Sequence, residues 1–140
     1  MQKFEKKENV CKEFLSKINN FRSIGLKELI GPNGYAQRII NYTNLKTTQL
    51  RKIYAEFKHI HSLIKSQDKE KEKEIKMRLY RLYPILAYQQ NRGLINEDFK
   101  EIMVKLLDWI DSNFDGKNYE KVMDFMTALV AYAKKEKWLN

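Results

Sequence analysis

The sequence predicts an all-α fold, a compact helical bundle of about five helices in a single domain over residues 1–140. Two prolines and five glycines leave few breaks between long helices. No alternating run of apolar and polar residues bounded by hairpin turns indicates a strand. Hydrophobic residues make up 43% of the chain, which at this length is enough to bury a core without a disulfide or a metal.

The first 30 residues carry only weak helical patterning, and we predict that residues 1–30 are either flexible or form a peripheral helix. The strongest turn signal of the chain follows them, the sequence GPNG at residues 31–34. A short helix over residues 35–42 is expected after this turn. The N-terminal segment is therefore the part for which the pattern predicts least.

The pattern sharpens after position 45, where two long helices are predicted. Thr47 or Thr48 is the expected N-cap of the first, because a threonine hydroxyl can accept from the free amides of the first turn. Its buried face repeats at three- and four-residue intervals and comprises Leu50, Ile53, Tyr54, Phe57, Ile60, His61 and Ile64. The alternating charges of residues 68–74 predict a solvated connector or helix start. In the second helix, Pro84 removes one backbone hydrogen bond, which predicts a kink or break near Arg81.

Two further helices complete the predicted bundle. Asn96 is the expected N-cap of the first, and Glu97 and Asp98 suit the positive end of its dipole. The turn dipeptide Asp115-Gly116 separates it from the last helix. The two buried faces comprise Phe99, Ile102, Met103, Leu106 and Ile110, then Tyr119, Val122, Met123, Met126, Leu129, Val130 and Ala133.

No constellation of residues indicates catalysis or a bound cofactor. His59 and His61 are two positions apart, so a helix directs them apart rather than toward one metal ion. The single cysteine, Cys11, excludes an intrachain disulfide and a cysteine-rich metal site. Three acids near one helix end are best interpreted as a solvated terminus rather than a divalent-ion site: Asp108, Asp111 and Asp115. We therefore expect no enzyme, no metal and no cofactor.

The chain is strongly basic, with 27 lysines and arginines against 18 acids and a net charge of +9. This charge favours a polyanionic partner. The basic residues form strips along helices: Arg51, Lys58 and Lys65 in the first, and Arg78, Arg81, Tyr88 and Arg92 in the second, with Lys134, Lys135 and Lys137 near the chain end. Such strips suit a nucleic-acid backbone, because cations bind phosphates and an aromatic ring can stack on a base. Lysines and arginines also flank every buried helical face, so spacing alone leaves both interpretations open.

Three segments carry motifs of a known family. Residues 45–52 read LKTTQLRK, residues 86–92 read LAYQQNR, and residues 125–134 read FMTALVAYAK. In this order and at these distances, they resemble the small helical subunit of type III-A (Csm-type) CRISPR effector complexes. The resemblance covers about residues 45–140. Asn91 occupies a position at which the family usually has glycine, and asparagine is the next most suitable residue at a left-handed helix end.

The resemblance implies a small, non-catalytic helical bundle that acts in antiviral defence in the cytoplasm. Neighbouring copies would stack beside the other subunits of the complex and hold target single-stranded RNA near the guide RNA, while another subunit cuts it. Arg51, Arg92 and Lys134 match the basic positions of the three motifs and are the first candidates for RNA contact, although Arg92 could equally tie its helix to a neighbour. Strip geometry adds Lys46, Lys52, Lys58, Arg78, Arg81 and Lys135.

Two other functions remain open. A purely scaffolding subunit would use protein contacts alone, with Trp109, Phe114 or Phe125 as a self-association surface off the predicted core faces. A small basic DNA-binding helical domain would need a helix whose polar outer face reads base edges, which the sequence does not provide. No membrane partner is expected, because the longest apolar run, residues 128–133, has six residues.

Overall fold

The computed structural model describes residues 9–134, and every regular element in that range is a helix. The α-helices are α1 (Val10–Lys17), α2 (Leu26–Ile30), α3 (Tyr35–Thr43), α4 (Thr47–Lys65), α5 (Glu72–Asn91), α6 (Glu97–Ser112) and α7 (Gly116–Tyr132). Two 3₁₀ helices, Ile18–Ser23 and Lys69–Lys71, lie between them. Six of the α-helices have eight residues or more, so the predicted all-α fold is confirmed.

The four longest helices, α4 to α7, form the main part of the bundle. α4 packs against α5 and α7, and α5 also packs against α6. α3 packs against α7, and α1 packs against α3 and α6. Each long helix turns an apolar face toward the core. In α4 this face comprises Leu50, Ile53, Phe57 and Ile60, all buried.

From residue 9 onward, the segment before the first turn packs into the core, and residues 1–8 of the predicted N-terminal segment lie outside the described residues. Phe14, Ile18 and Phe21 are fully buried. The Phe14 ring stacks on Phe125 of α7 with 5.0 Å between the ring centroids, and Phe21 packs against Trp109 of α6. The sequence pattern is weak here because these residues are divided between an α-helix and a 3₁₀ helix, which have different periods.

The three aromatic residues predicted as a self-association surface do not form an exposed patch. Trp109 and Phe125 are buried, and Phe114 is partly buried, with Lys76 Nζ 4.7 Å from its ring centroid. That expectation is wrong because α1, α2 and α3 cover sides of α6 and α7 that the helical pattern assigned to solvent.

The break predicted near Arg81 is absent, since α5 runs through Pro84 without interruption. Pro84 cannot donate to the carbonyl of Tyr80. Both residues are exposed, so water can bond to that carbonyl and the helix continues. A proline on the outer side of a helix is tolerated for this reason.

The N-cap prediction is confirmed for α6 and wrong for α4. Asn96 Oδ1 accepts from the amide of Phe99 at 3.0 Å. The N-cap of α4 is Lys46, with no side-chain capping bond, and Thr47 is the first helical residue. The Thr47 hydroxyl instead donates to the carbonyl of Lys134 at 3.0 Å, a partner that the local sequence does not reveal.

Candidate nucleic-acid interface

The start of α4 and the end of α7 are bonded to each other at one end of the bundle. The amide and hydroxyl of Thr47 both donate to the carbonyl of Lys134, at 3.3 and 3.0 Å. Lys46 and Lys134 also pair as an isolated parallel bridge. Two of the candidate lysines, far apart in sequence, are thereby held side by side.

The α3–α4 turn and the start of α6 complete this junction. Asn44 has a left-handed backbone with φ of 52°, and Lys46 Nζ donates to its Oδ1 at 3.3 Å. Asn96 Nδ2 donates to the carbonyl of Thr43 at 3.0 Å, so the cap of α6 also anchors the end of α3. Hydrogen bonds therefore fix four helix termini relative to one another.

Three neighbouring depressions run from this junction along the α4–α5 side and share residues. The first, of about 250 Å³, is lined by Lys134, Asn44 and Leu45, among others. The second, of about 490 Å³, shares Asn44 and Leu45 and adds Lys46, Gln49, Gly93 and Leu94. The third, of about 440 Å³, shares Leu94 and adds Lys52, Pro84, Ile85, Tyr88 and Gln89. We call them the first, second and third sections of the lysine groove, because each contains one lysine: Lys134, Lys46 and Lys52.

Within the described residues, the fold does not pair these lysines with acids. Within residues 9–134, no carboxylate oxygen lies within 4.0 Å of the Nζ atoms of Lys46, Lys52 or Lys134. Glu56 lines the third section, but its carboxylate accepts from Arg78 at 3.1 Å. A row of cations without acidic partners suits a chain of phosphates.

Tyr88 and Arg92 form an aromatic and cationic pair at the third section. Tyr88 lines that section and is 56% exposed. The guanidinium of Arg92 lies 5.0 Å from the centroid of the Tyr88 ring. The arginine therefore contacts a residue of the helix that it follows, α5. The exposed part of the tyrosine ring remains open to stacking.

The turn after α5 differs from what the resemblance indicated. Asn91 is the last residue of α5, and Gly93 adopts the left-handed conformation with φ of 72°. Glycine takes this conformation at no steric cost. The amide of Leu94 then donates to the carbonyl of Gln89 at 2.9 Å, which returns Leu94 to the wall of the lysine groove.

Arg51 and Lys58 are exposed but lie outside the lysine groove. Successive helical residues are about 100° apart, so Arg51 is turned away from Lys52 toward the α7 side of α4. Tyr54, which contacts Thr127 of α7 at 3.3 Å, marks that side. Arg51 and Lys58 therefore form a second basic strip that the structure does not join to the groove.

Two arginines of α5 that are three positions apart have different environments. Arg78 is half-buried and contacts Glu56 at 3.1 Å and Glu74 at 3.5 Å. This arrangement argues against Arg78 as an RNA contact. Arg81 is exposed and lies on the same strip of α5 as Tyr88, seven residues later.

The cysteine thiol and the two histidine rings differ in how deeply they are buried. Burial raises the pKa of the Cys11 thiol to about 12, so the thiol is neutral near pH 7. His59 is exposed, whereas His61 is half-buried and burial lowers its pKa. In the part of the chain described, no group of three side chains could hold a metal ion, and no helix has the length and apolarity to cross a bilayer.

The three acids near the end of α6 bond within the protein. Asp111 accepts from Lys76 at 2.6 Å, and Asp108 accepts from the Tyr83 hydroxyl. Asp115 caps α7 by accepting from the amide of Asn118 at 2.7 Å. Each carboxylate therefore has a local structural role.

Sequence reasoning missed the residues that shape the walls of the groove. These are Asn41, Asn44, Gln49, Gln89 and Leu94. Asn44 and Gly93 carry a local signal, because asparagine and glycine commonly end helices. The other walls exist only because the ends of several helices converge. Lys135, the remaining candidate, lies outside the described residues.

Comparison with known families agrees with the motifs. A family model described as Csm2 Type III-A matches residues 32–138, which include the three motif segments and also α3, where the resemblance had indicated nothing. Comparisons with curated proteins and with solved structures gave no significant match. Because the match covers most of the 140 residues, the chain belongs to the Csm2 family, the small subunits of type III-A CRISPR complexes.

Proposed function

We propose that this Csm2 protein is a non-catalytic subunit that holds target single-stranded RNA in the lysine groove. It would act in the cytoplasm, in several copies stacked beside the other subunits and close to the guide RNA. One observation carries the proposal: Lys134, Lys46 and Lys52 line three adjoining sections of one groove and have no acidic partner within residues 9–134. A basic groove that follows a backbone is typical of sequence-independent binding to single strands.

The proposed contacts are to phosphates and riboses, which carry no sequence information. Specificity would come from pairing between guide and target, as in other RNA-guided complexes. Arg92 and Arg81 extend the positive surface beyond the third section, whereas Arg51 and Lys58 offer a separate line of contact toward α7. Arg78 is left out because two carboxylates already bond to it.

Repetition supports the proposal energetically. A single copy with few cations binds RNA weakly, and its affinity falls as salt releases the phosphate contacts. Copies held in a row act at high effective concentration on one RNA strand, so their weak contacts add to a strong overall affinity. Binding by the free chain and retention by the complex should therefore differ greatly.

The double variant Lys46→Gln with Lys134→Gln tests the proposal in the assembled complex. Retention of target RNA should weaken, and the slope of log affinity against log salt should fall by about 0.7 for each phosphate that the protein no longer neutralises. Lys117→Gln is the control for Lys134→Gln alone, because each removes one charge and Lys117 is exposed near the other end of α7. Arg51→Ala and Arg92→Ala, measured in the same way, compare the strip of α4 with the Tyr88–Arg92 pair beside the groove.

A purely scaffolding subunit is the second candidate, and exposed apolar side chains of α5 favour it. Met77 and Tyr80 are each 47% exposed and Ile85 is 40% exposed, which suits a protein contact. Under this alternative the double variant assembles normally and retains RNA as the wild type does. A double variant that fails to assemble would show that the lysines are structural, which also contradicts RNA holding by the groove.

A further inference from the structure

We infer that the third section of the lysine groove is a pocket for one unstacked nucleobase. The inference rests on the proposed function and specifies what this groove binds in addition to phosphates. The section lies between α4 and α5, has a volume of about 440 Å³, and has mainly apolar walls that include Pro84, Ile85 and Leu94. Apolar walls suit the faces of a base.

Gln89 gives this pocket a polar group without a partner. It lines the pocket, is 4% exposed, and its Oε1 accepts no hydrogen bond from any group in residues 9–134. Buried polar atoms in folded proteins nearly always have a partner. Rotation about the last side-chain bond can turn either the oxygen or the NH₂ group of the amide toward a ligand, and together they match the mixed donor and acceptor edge of a base.

The remaining features match the other parts of a nucleotide. Tyr88, 56% exposed on one wall, offers a ring for stacking, and Arg92 lies against that ring at 5.0 Å from its centroid. Lys52, on the α4 wall, is exposed and has no carboxylate within 4.0 Å in the described range. A base in the pocket would thus have a stacking partner, an edge partner and a cation for its phosphate.

An apolar side chain of a partner protein would fill the same walls less well. It would make no hydrogen bond to the Gln89 oxygen, which is already unpaired within residues 9–134 of the free chain, and it would gain nothing from Lys52. The unpaired amide and the lysine together therefore favour a nucleobase as the occupant.

The test compares oligomers that carry the same charge with and without bases. The full chain is titrated at low salt with oligoadenylate, oligouridylate and an abasic oligomer of equal length. The base-bearing strands should bind about tenfold more tightly than the abasic strand, from the usual strength of stacking. Gln89→Leu and Tyr88→Ala should each reduce this preference several-fold without changing the affinity for the abasic strand.

Two controls separate a binding role from a structural one. Gln90→Leu changes an adjacent, half-buried glutamine that does not line the pocket, and it should leave the preference unchanged. Gln89→Leu removes an unpaired buried polar atom, so its melting temperature should be equal to or above that of the wild type. A reduced base preference with unreduced stability is the result that only a binding role gives.

Three results would overturn the inference: equal affinity for abasic and base-bearing strands, an unchanged preference in Gln89→Leu, or no RNA binding by the full chain. A Gln89→Leu complex that captures another subunit more strongly would instead indicate an apolar protein contact and would also overturn it. Failure of the proposed function is distinct, because the Lys46 and Lys134 variants would then leave RNA retention in the complex unchanged.

Discussion

Two regions of the bundle use their positive side chains differently. Around α1 and the 3₁₀ helix that follows it, cations bond to main-chain carbonyls. Lys121 Nζ donates to the carbonyls of Arg22 and Ile24, and Lys105 Nζ donates to that of Leu15 at 2.7 Å. In the lysine groove, by contrast, the cations lie without acidic partners within the described residues.

This difference shows that net charge alone does not identify a binding surface. A lysine that bonds to main-chain carbonyls contributes to folding, most where the carbonyl is partly buried, as at Leu15 and Ile24. A lysine such as Lys52, whose ammonium bonds to no carboxylate or carbonyl in the described residues, contributes little to stability and is available to a ligand. Substitutions of the lysines that bond to carbonyls should therefore lower stability, whereas substitutions in the lysine groove should mainly lower RNA affinity.

The largest difference in stability is expected between Lys121, which lies in α7, and Lys134, which follows its end. Lys121→Met removes the donor for two carbonyls and should lower the free energy of unfolding by about 1–3 kcal/mol. Lys134→Met should change it by less than about 0.5 kcal/mol, as usual for an exposed residue, and should weaken RNA retention. Urea unfolding and RNA binding measured on both variants check this. Equal destabilisation by the two would remove the distinction between the regions.

Thr47 and Thr48 give a matched pair at the junction. Thr47→Val removes the hydroxyl that donates to Lys134 and should lower the free energy of unfolding by about 1 kcal/mol. Thr48 is exposed, and Thr48→Val should have an effect within about 0.5 kcal/mol. Thermal or urea unfolding distinguishes them. A larger effect of Thr48→Val would support a capping role for that residue at the start of α4.

Arg78 and Arg81 allow the same comparison within one helix, between an arginine that pairs with acids and one that is exposed. Arg78→Gln breaks contacts with Glu56 and Glu74 and should destabilise the protein by about 0.5–1 kcal/mol, the range for partly exposed ion pairs. Arg81→Gln should leave stability unchanged and reduce RNA affinity. If Arg78→Gln lowers RNA affinity more than Arg81→Gln does, ion pairing is not a valid criterion for excluding a candidate.

The smallest effect is expected from a pH dependence. The hydrogen bond from Lys76 holds the pKa of Asp111 below its ordinary value of 3.8, with a further contribution from Tyr80. Folding therefore favours the ionised carboxylate, and this stabilisation is present above about pH 4 and is lost as the pH falls through the lowered pKa. Asp111→Asn should flatten the loss of stability below pH 4 in urea unfolding. Glu101→Gln, an exposed substitution on the same helix, should not.

The sequence by itself determined the helical class, most of the long helices and the family. Periodicity of apolar residues defines α4, α6 and α7, because one buried face repeats with the helical period whatever packs on it. Asn96 was found as a cap because its partner, the Phe99 amide, is three residues away. The motifs at residues 45–52, 86–92 and 125–134 indicate the family because a motif can be recognised from consecutive residues without the tertiary structure.

Only the tertiary structure decided which candidates share a surface. The sequence grouped Arg78 with Arg81, but the partners of Arg78 include Glu56 on another helix. It also left Lys46 and Lys134 unconnected, although a bridge holds them together. The physical reason is common to these cases: helical period fixes which way a side chain points, whereas pairing and groove formation depend on which distant segment arrives opposite it.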